Sequence, residues 1–391
     1  MRDCVSESFV MPVRQYATGE FLRWRGGRDP LERDGARVYH FAQGRYAIHQ
    51  GLAALGVGPG DRVLVPSYLC VVAVEAVTAL GAIVDFHDVG EDGRVDVAVV
   101  ESAIGPDTRA VLCVHYFGFP QPVAALRTVC DRRGVPLLED CAHMLPRGPG
   151  PHEPGGVGDM AVFSWSKVLP VDDGASLVVN RGAPAIEPPR GREALPESLQ
   201  TVKDMWDRSV AWADWPAVRA VYRWLERPKA LLRGGRLGAT ARARGEDGPW
   251  FEPSRTAVPM SRLARWVLAH SDFEAIRRRR REHYQRLADR ITRLEGVISM
   301  VPRLDPDVCP YVYPLRFDAR PRAHLELRAM GIPAVAWDGV RPDGIVPDRF
   351  PRADFLYDNL IMLPVHQSLR PQDLDLIADA VERLAGAARS G

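Results

Sequence analysis

The sequence predicts an α/β protein: a mostly parallel seven-stranded-type sheet flanked by helices, followed by a smaller α+β C-terminal domain. Three observations predict it. Short, continuous apolar runs recur between residues 62 and 180, which is how strands buried on both faces read. Stretches with helical periodicity alternate with them, as βαβ units with right-handed crossovers require. Polar clusters stand at two run ends, Glu139-Asp140-Cys141-Ala142-His143 and Ser164-Trp165-Ser166-Lys167, where open α/β sheets place their ligands.

Taken in order, residues 1–38 are polar and irregular and read as an N-terminal arm, lying on the main domain or on a partner subunit. A large α/β domain is expected over 39–258. Phe41-Ala42-Gln43-Gly44-Arg45 leads into a helix from Tyr46 to Leu55, closed by Gly56 and by Pro59 just beyond. A glycine at such a junction lets backbone amides approach an anion favoured by the helix dipole, and Arg45 could add a charge-assisted contact. Strands follow at 62–66, 82–86, 110–114, 135–138, 160–163 and 175–180, with helices at 71–80, 97–104 and 122–133. Residues 181–258 form a divergent segment with helical stretches from Leu199 to Ala213 and from Ala217 to Leu232. Its tryptophans (Trp206, Trp212, Trp215, Trp224, Trp250) read as packing residues. The small domain, 259–391, opens on one long amphipathic helix from Ser261 toward Ile291. Arg277 to Arg281 on that helix read as a solvated face paired with Glu274 and Glu282. A strand at 312–317, a helix at 323–330, a strand at 333–337 and a closing helix at 374–385 complete it. Asp338, Arg341 and His366 are candidates to face a cleft.

Composition narrows the function classes. A chain of 391 residues with 46% hydrophobic content can bury a large core. A net charge of +1 gives no electrostatic case for nucleic acid or a membrane surface. The six cysteines are scattered without a C-x-x-C pair, which suits a reducing compartment. No apolar run is long enough to span a bilayer, and the N-terminus lacks a signal-peptide core. A cytoplasmic protein is the expectation.

An aspartate and a lysine leaving the ends of two strands suit pyridoxal 5'-phosphate (PLP). The amine bonds the cofactor aldehyde, and the carboxylate pairs with the ring nitrogen. No metal-binding spacing is present.

The order of motifs resembles a known family. Gly44-Arg45-Tyr46-Ala47-Ile48, Gly58 to Ser67, Val114-His115-Tyr116-Phe117-Gly118, Glu139 to His143, and Gly158 to Ser164 with Lys167 are similar to the DegT-like (DegT/StrS-type) nucleotide-sugar aminotransferases, a fold-type-I PLP family. The likeness resumes at Pro259 to Leu263 and at Asp358 to His366. The resemblance implies that Lys167 is the cofactor-bonding lysine and Asp140 the partner of the ring nitrogen. It places His143 near the ring hydroxyl, with Gly44, Arg45 and Tyr46 on the phosphate turn and Ser164 as a further phosphate ligand. It implies a homodimer with shared active sites, an amino-acid donor such as L-glutamate and a keto-sugar nucleotide acceptor. The setting would be amino-sugar, secondary-metabolite or surface-glycan biosynthesis. Cys70 stands where the family stacks an aromatic ring on the cofactor. Two other readings are an elimination, dehydration or decarboxylation enzyme of the same fold, and a catalytically silent relative. Lys167 argues against the family's dehydratase branch, which carries histidine there.

Overall fold

The structure, a computed structural model, describes residues 11, 14–16, 21, 22, 27, 29–146, 153–180, 182–191, 202, 203 and 250–387. Apart from Val202 and Lys203, which are helical, the two expected helices at 199–232 lie outside the described residues, as do Trp206, Trp212, Trp215 and Trp224.

Seven strands form the large sheet: β1 (Arg37–Phe41), β2 (Arg62–Pro66), β3 (Ile83–His87), β4 (Thr108–Val114), β5 (Leu137–Asp140), β6 (Met160–Ser164) and β7 (Ala175–Val179). Their order across the sheet is β1-β7-β6-β5-β4-β2-β3. The five from β6 to β3 run parallel, and β7 and β1 close one edge antiparallel. The crossover helices are α1 (Gly44–Ala54), α2 (Val71–Thr78), α3 (Val97–Ala103) and α4 (Val123–Arg133).

Strand alternation covers both faces of this sheet. Val63, Val65 and Leu138 point toward Ala47, Ile48 and Leu52 of α1 and Ala73, Ala76 and Val77 of α2. Their neighbours Leu64 and Leu137 point the other way, into a core with Val100 of α3 and Val123, Leu126 and Val129 of α4. Burial on both sides explains why these strands are apolar throughout. The edge strand β1 pairs along its length only with β7, and on its other side Phe41 alone bridges to Pro259. Its sequence is mixed and its first four residues are not fully buried; residues 37 and 38, expected in the arm, begin the sheet instead.

The C-terminal part contains α5 (Arg262–His270), α6 (Phe273–Ile291), β8 (Val297–Ser299), β9 (Val312–Phe317), α7 (Ala323–Ala329), α8 (Pro351–Asn359), β10 (Ile361–Pro364) and α9 (Pro371–Ala387). The strands form an antiparallel sheet in the order β10-β9-β8, packed on α6 and α9.

Three expectations are corrected here. The long helix from Ser261 is two helices, because Ser271 is extended and Asp272 caps α6 by accepting from the Ala275 amide. Residues 333–337 are not a strand; Val335 alone bridges to Met362. The arginine run is not wholly solvated. Arg277 pairs with Glu274 and Arg279 with Glu282, but Arg280 is fully buried. It donates to Gln367 Oε1 at 2.9 Å and to the Tyr311 carbonyl at 3.2 Å.

Candidate active site

Asp140 is the last residue of β5 and pairs in register with Val162 of the adjacent parallel strand β6. Lys167 ends a single 3₁₀ turn, Trp165–Lys167, directly after β6. The two side chains therefore emerge at the carboxyl ends of neighbouring strands. Fully buried Trp165 anchors the turn: its Nε1–H donates to Ser176 Oγ at 2.8 Å. Ser176 Oγ contacts His40 Nδ1 at 2.9 Å, and His40 Nε2 stands 3.1 Å from Asp29. From the N-terminal segment, Gln15 Nε2 donates to the carbonyls of Ser166 (3.0 Å) and Leu169 (2.6 Å).

The Asp140 carboxylate accepts one hydrogen bond, from the Ala142 amide to Oδ1 at 2.9 Å. Its Oδ2 meets no donor among the described residues. Burial pushes this carboxyl up from its ordinary value, with nearby Lys167 pulling the other way. Burial also pushes the Lys167 amine down, opposed by Asp140 and Cys70 and reinforced by Arg14. Lys167 Nζ lies 2.9 Å from His143 Nε2. His143 is buried and held well below its ordinary value, first by burial and then by Lys167.

A polar clamp sits behind the strand end. Buried Glu139 accepts from the amides of Gly155 (2.7 Å), Val157 (2.9 Å) and Gly158 (2.6 Å) and from His115 Nε2 at 3.0 Å. His115 Nδ1 in turn accepts from the Gln121 amide at 3.0 Å. The His115–Glu139–Cys141 group has metal-ligand residue types, yet its histidine and carboxylate are already satisfied by protein donors and acceptors. This clamp fixes the connector between β5 and β6, and with it the spacing of Asp140 and Lys167.

The remaining candidates divide. Gly44 opens α1 against the end of β6: a Cβ placed there would stand 3.9 Å from both Ser164 Cβ and Val162 Cγ1. Gln43, the N-cap, makes no side-chain cap bond. The Gly44 and Arg45 amides precede the helical hydrogen-bond ladder and stay available to an anion. Arg45 turns its guanidinium to the carbonyl of Trp250. Tyr46 packs its ring in the core, edge-on to Phe251 at 5.4 Å. Gly44, Ser164, Asp140, His143 and Lys167 are thus gathered at one sheet edge, whereas the Arg45 and Tyr46 side chains point elsewhere. Of the cleft candidates, Arg341 pairs with Asp354 and Asp358, and Asp338 lies 3.3 Å from His324.

Sequence reading missed an aromatic wall. His143 stacks on Tyr311 (4.7 Å, 7° between planes) and on Phe117 (5.8 Å, 14°), with Trp337 at 5.8 Å. Trp337 stacks on buried Tyr68 at 4.9 Å. Phe117 has φ +58° and ψ +17°, a left-handed conformation that is uncommon for a bulky residue. It is held from both sides. Its amide donates to His143 Nδ1 at 3.2 Å, and its carbonyl accepts from the Tyr311 amide at 2.7 Å. At Gly118 any Cβ would strike the Cys309 carbonyl at 2.3 Å, so Tyr116-Phe117-Gly118 was the available signal. Gln15 left none.

Comparison with known proteins decides among folds that could carry such a site. Residues 37–183 match the model of the DegT/DnrJ/EryC1/StrS aminotransferase family. The DegT-like resemblance drawn from the motifs therefore holds over this segment, which carries the candidate cofactor residues but not Asp338, Arg341 or His366. GDP-perosamine synthase of Vibrio cholerae is 33% identical over 142 residues, a stretch that spans 36% of this chain and 39% of that relative. The likeness in fold extends further than the detectable sequence match. The aminotransferase TlmJ of Streptoalloteichus hindustanus superposes with a TM-score of 0.63 at 23% identity, covering 90% of this chain and 87% of that one. A Streptococcus pneumoniae protein in its PLP-form gives a TM-score of 0.63 at 16% identity, with 90% and 87% covered. Among the described residues no helix is long and apolar enough to cross a membrane.

Proposed function

We propose that this protein is a PLP-dependent aminotransferase that moves an amino group from an amino acid, L-glutamate first among candidates, to a keto-sugar nucleotide or related keto compound. The observation that carries the reading is the placing, at adjacent strand ends, of a part-buried lysine amine and an aspartate whose second oxygen meets no donor among the described residues. That donor set fits the cofactor. Asp140 Oδ2 would take the ring N–H, Lys167 would bond the aldehyde, and the Gly44 and Arg45 amides with Ser164 would hold the phosphate. The family match over 37–183 and the likeness to GDP-perosamine synthase support the same reading.

When bound, PLP supplies an electron sink for negative charge developing at the substrate Cα. The rest belongs to the chain. Lys167, with its pKa pulled down by burial, serves as base and then acid for the Cα proton. Asp140 would pair with the ring N–H and favour its protonated form from a part-buried position. His143 would face the ring hydroxyl, as the DegT-like resemblance implies. A homodimer sharing its active sites, as the DegT-like resemblance implies, completes the proposal and is checked by light scattering on the purified protein.

The test has two stages. Protein mixed with PLP and reduced with borohydride should yield a single labelled peptide containing Lys167. Enzyme so loaded, but not reduced, should release stoichiometric 2-oxoglutarate from L-glutamate with no acceptor present. No label at Lys167 ends the cofactor assignment. Label without 2-oxoglutarate, but with carbon dioxide or an elimination product from another amino acid, favours the lyase reading.

A further inference from the structure

We propose that the backbone amide of Phe117 locks His143 as the tautomer protonated on Nε2, and that this proton is donated to Lys167, holding its amine uncharged. His143 is then a positioning residue that presents a nucleophilic lysine before any cofactor arrives.

A neutral imidazole has one N–H and one bare nitrogen. The Phe117 N–H points at Nδ1 from 3.2 Å, so Nδ1 is the acceptor and the ring proton sits on Nε2. That nitrogen lies 2.9 Å from Lys167 Nζ. An ammonium there would set N–H against N–H at hydrogen-bond distance, whereas a free amine offers its lone pair. The alternative, an imidazolium, would aim a second N–H at the Phe117 amide. Neither Phe117 nor His143 can easily rotate out of this arrangement. The left-handed turn fixes the amide, whose carbonyl is tied to Tyr311, and the imidazole is stacked on the Tyr311 ring. The other groups acting on Lys167 are Asp140 at the end of β5, Cys70 ahead of α2 and Arg14 of the N-terminal segment. Asp140 favours the charged amine, so the tautomer lock and burial act against it. The directions found for Lys167 and His143, both below their ordinary values, agree with that balance.

This inference refines the reading of Lys167 as the reacting amine, but its test needs neither cofactor nor turnover. Lysine occurs in the chain only at Lys167, Lys203 and Lys229. Full-length protein without added PLP, labelled with ¹³C at lysine Cε, therefore gives three signals, and a Lys167→Arg variant assigns one of them. Long-range ¹H–¹⁵N spectra of histidine-labelled protein report the His143 tautomer, assigned with His143→Gln. The expected result is a bare Nδ1, a protonated Nε2 and a Lys167 signal titrating below that of exposed Lys203. His143→Gln, whose amide can accept from Phe117 and donate to Lys167 together, should keep the Lys167 midpoint. His143→Ala should raise it by about one pH unit, the size expected for one lost hydrogen bond. A proton on Nδ1, an imidazolium, or a Lys167 that titrates with Lys203 would overturn the proposal. Any of these could occur in a protein that still binds PLP at Lys167, and the reverse also holds, so the two readings fail separately.

Discussion

Lys167 and Asp140 are far apart in character but share one physical circumstance: each is moved toward its uncharged form by burial while the other pulls it back. If the amine carries the chemistry, Lys167→Ala should lower turnover by at least about 10²–10⁴-fold, the range for losing a positioned acid–base group. The purified variant should also lose the borohydride-fixed label. Asp140→Asn should keep the fold, since asparagine can still accept from the Ala142 amide, but should lower kcat about 10²-fold as charge stabilisation disappears. Retained kcat in a PLP-saturated assay would refute that role. Both residues were legible because strand ends in an α/β sheet are few and each carries a chemically distinctive side chain. Phe117, Tyr311 and Trp337 were not. They converge on His143 from separate segments, and no periodicity links residue 117 to 311 or 337.

At the scale of the element, every strand of the parallel core was readable, with ends displaced by up to two residues at β4 and β5. β2 spans the expected 62–66 because its apolar run is bounded by Gly60-Asp61 and by Pro66-Ser67. Elements buried on one side read less clearly. β1 mixes polar and apolar residues as an arm would, and the break at Ser271-Asp272 hides inside continuous helical periodicity until Asp272 is recognised as a cap. Arg280 is the sharpest case. Its four arginine neighbours have exposed or partly exposed positions, but one turn of α6 aims Arg280 inward at Gln367 and the carbonyls of residues 310 and 311. Arg280→Ala should cost about 3 kcal/mol, because the acceptors it serves would be left buried and unpaired. A chemical-denaturation midpoint unchanged from the parent would contradict this. Arg280→Lys should recover little, since an ammonium cannot reproduce the guanidinium fork.

For the whole molecule, buried histidines set the response to acid. Burial holds His87, His143 and His283 below their ordinary value of 6.5, His283 at about 4. The folded chain refuses protons that the unfolded chain accepts, so stability is full above pH 6.5 and falls as pH drops through the window toward each folded value. His283 alone contributes up to about 3 kcal/mol at the bottom of that window. Glu139, depressed below 4.5 chiefly through His115 and the connector amides despite its burial, adds a second loss at lower pH. Asp140, displaced upward, works in the opposite sense but is a single group. Thermal melts should therefore show a falling Tm already between about pH 6.5 and pH 5, before ordinary carboxylates titrate. A flat profile across that interval would contradict the buried-neutral assignment.

The clasp made by Gln15 has a practical corollary. Two peptide oxygens flanking the reactive turn depend on a side chain supplied more than a hundred residues earlier. A shortened polypeptide beginning beyond Tyr16 should fold its sheet normally yet leave the Ser166 oxygen unserved and the Leu169 oxygen with the Val171 amide alone. Such a protein should still take up PLP, but release it faster on dialysis than the full-length chain. Gln15→Ala should behave alike, and equal retention by all three proteins would show the leading segment to be mere packing.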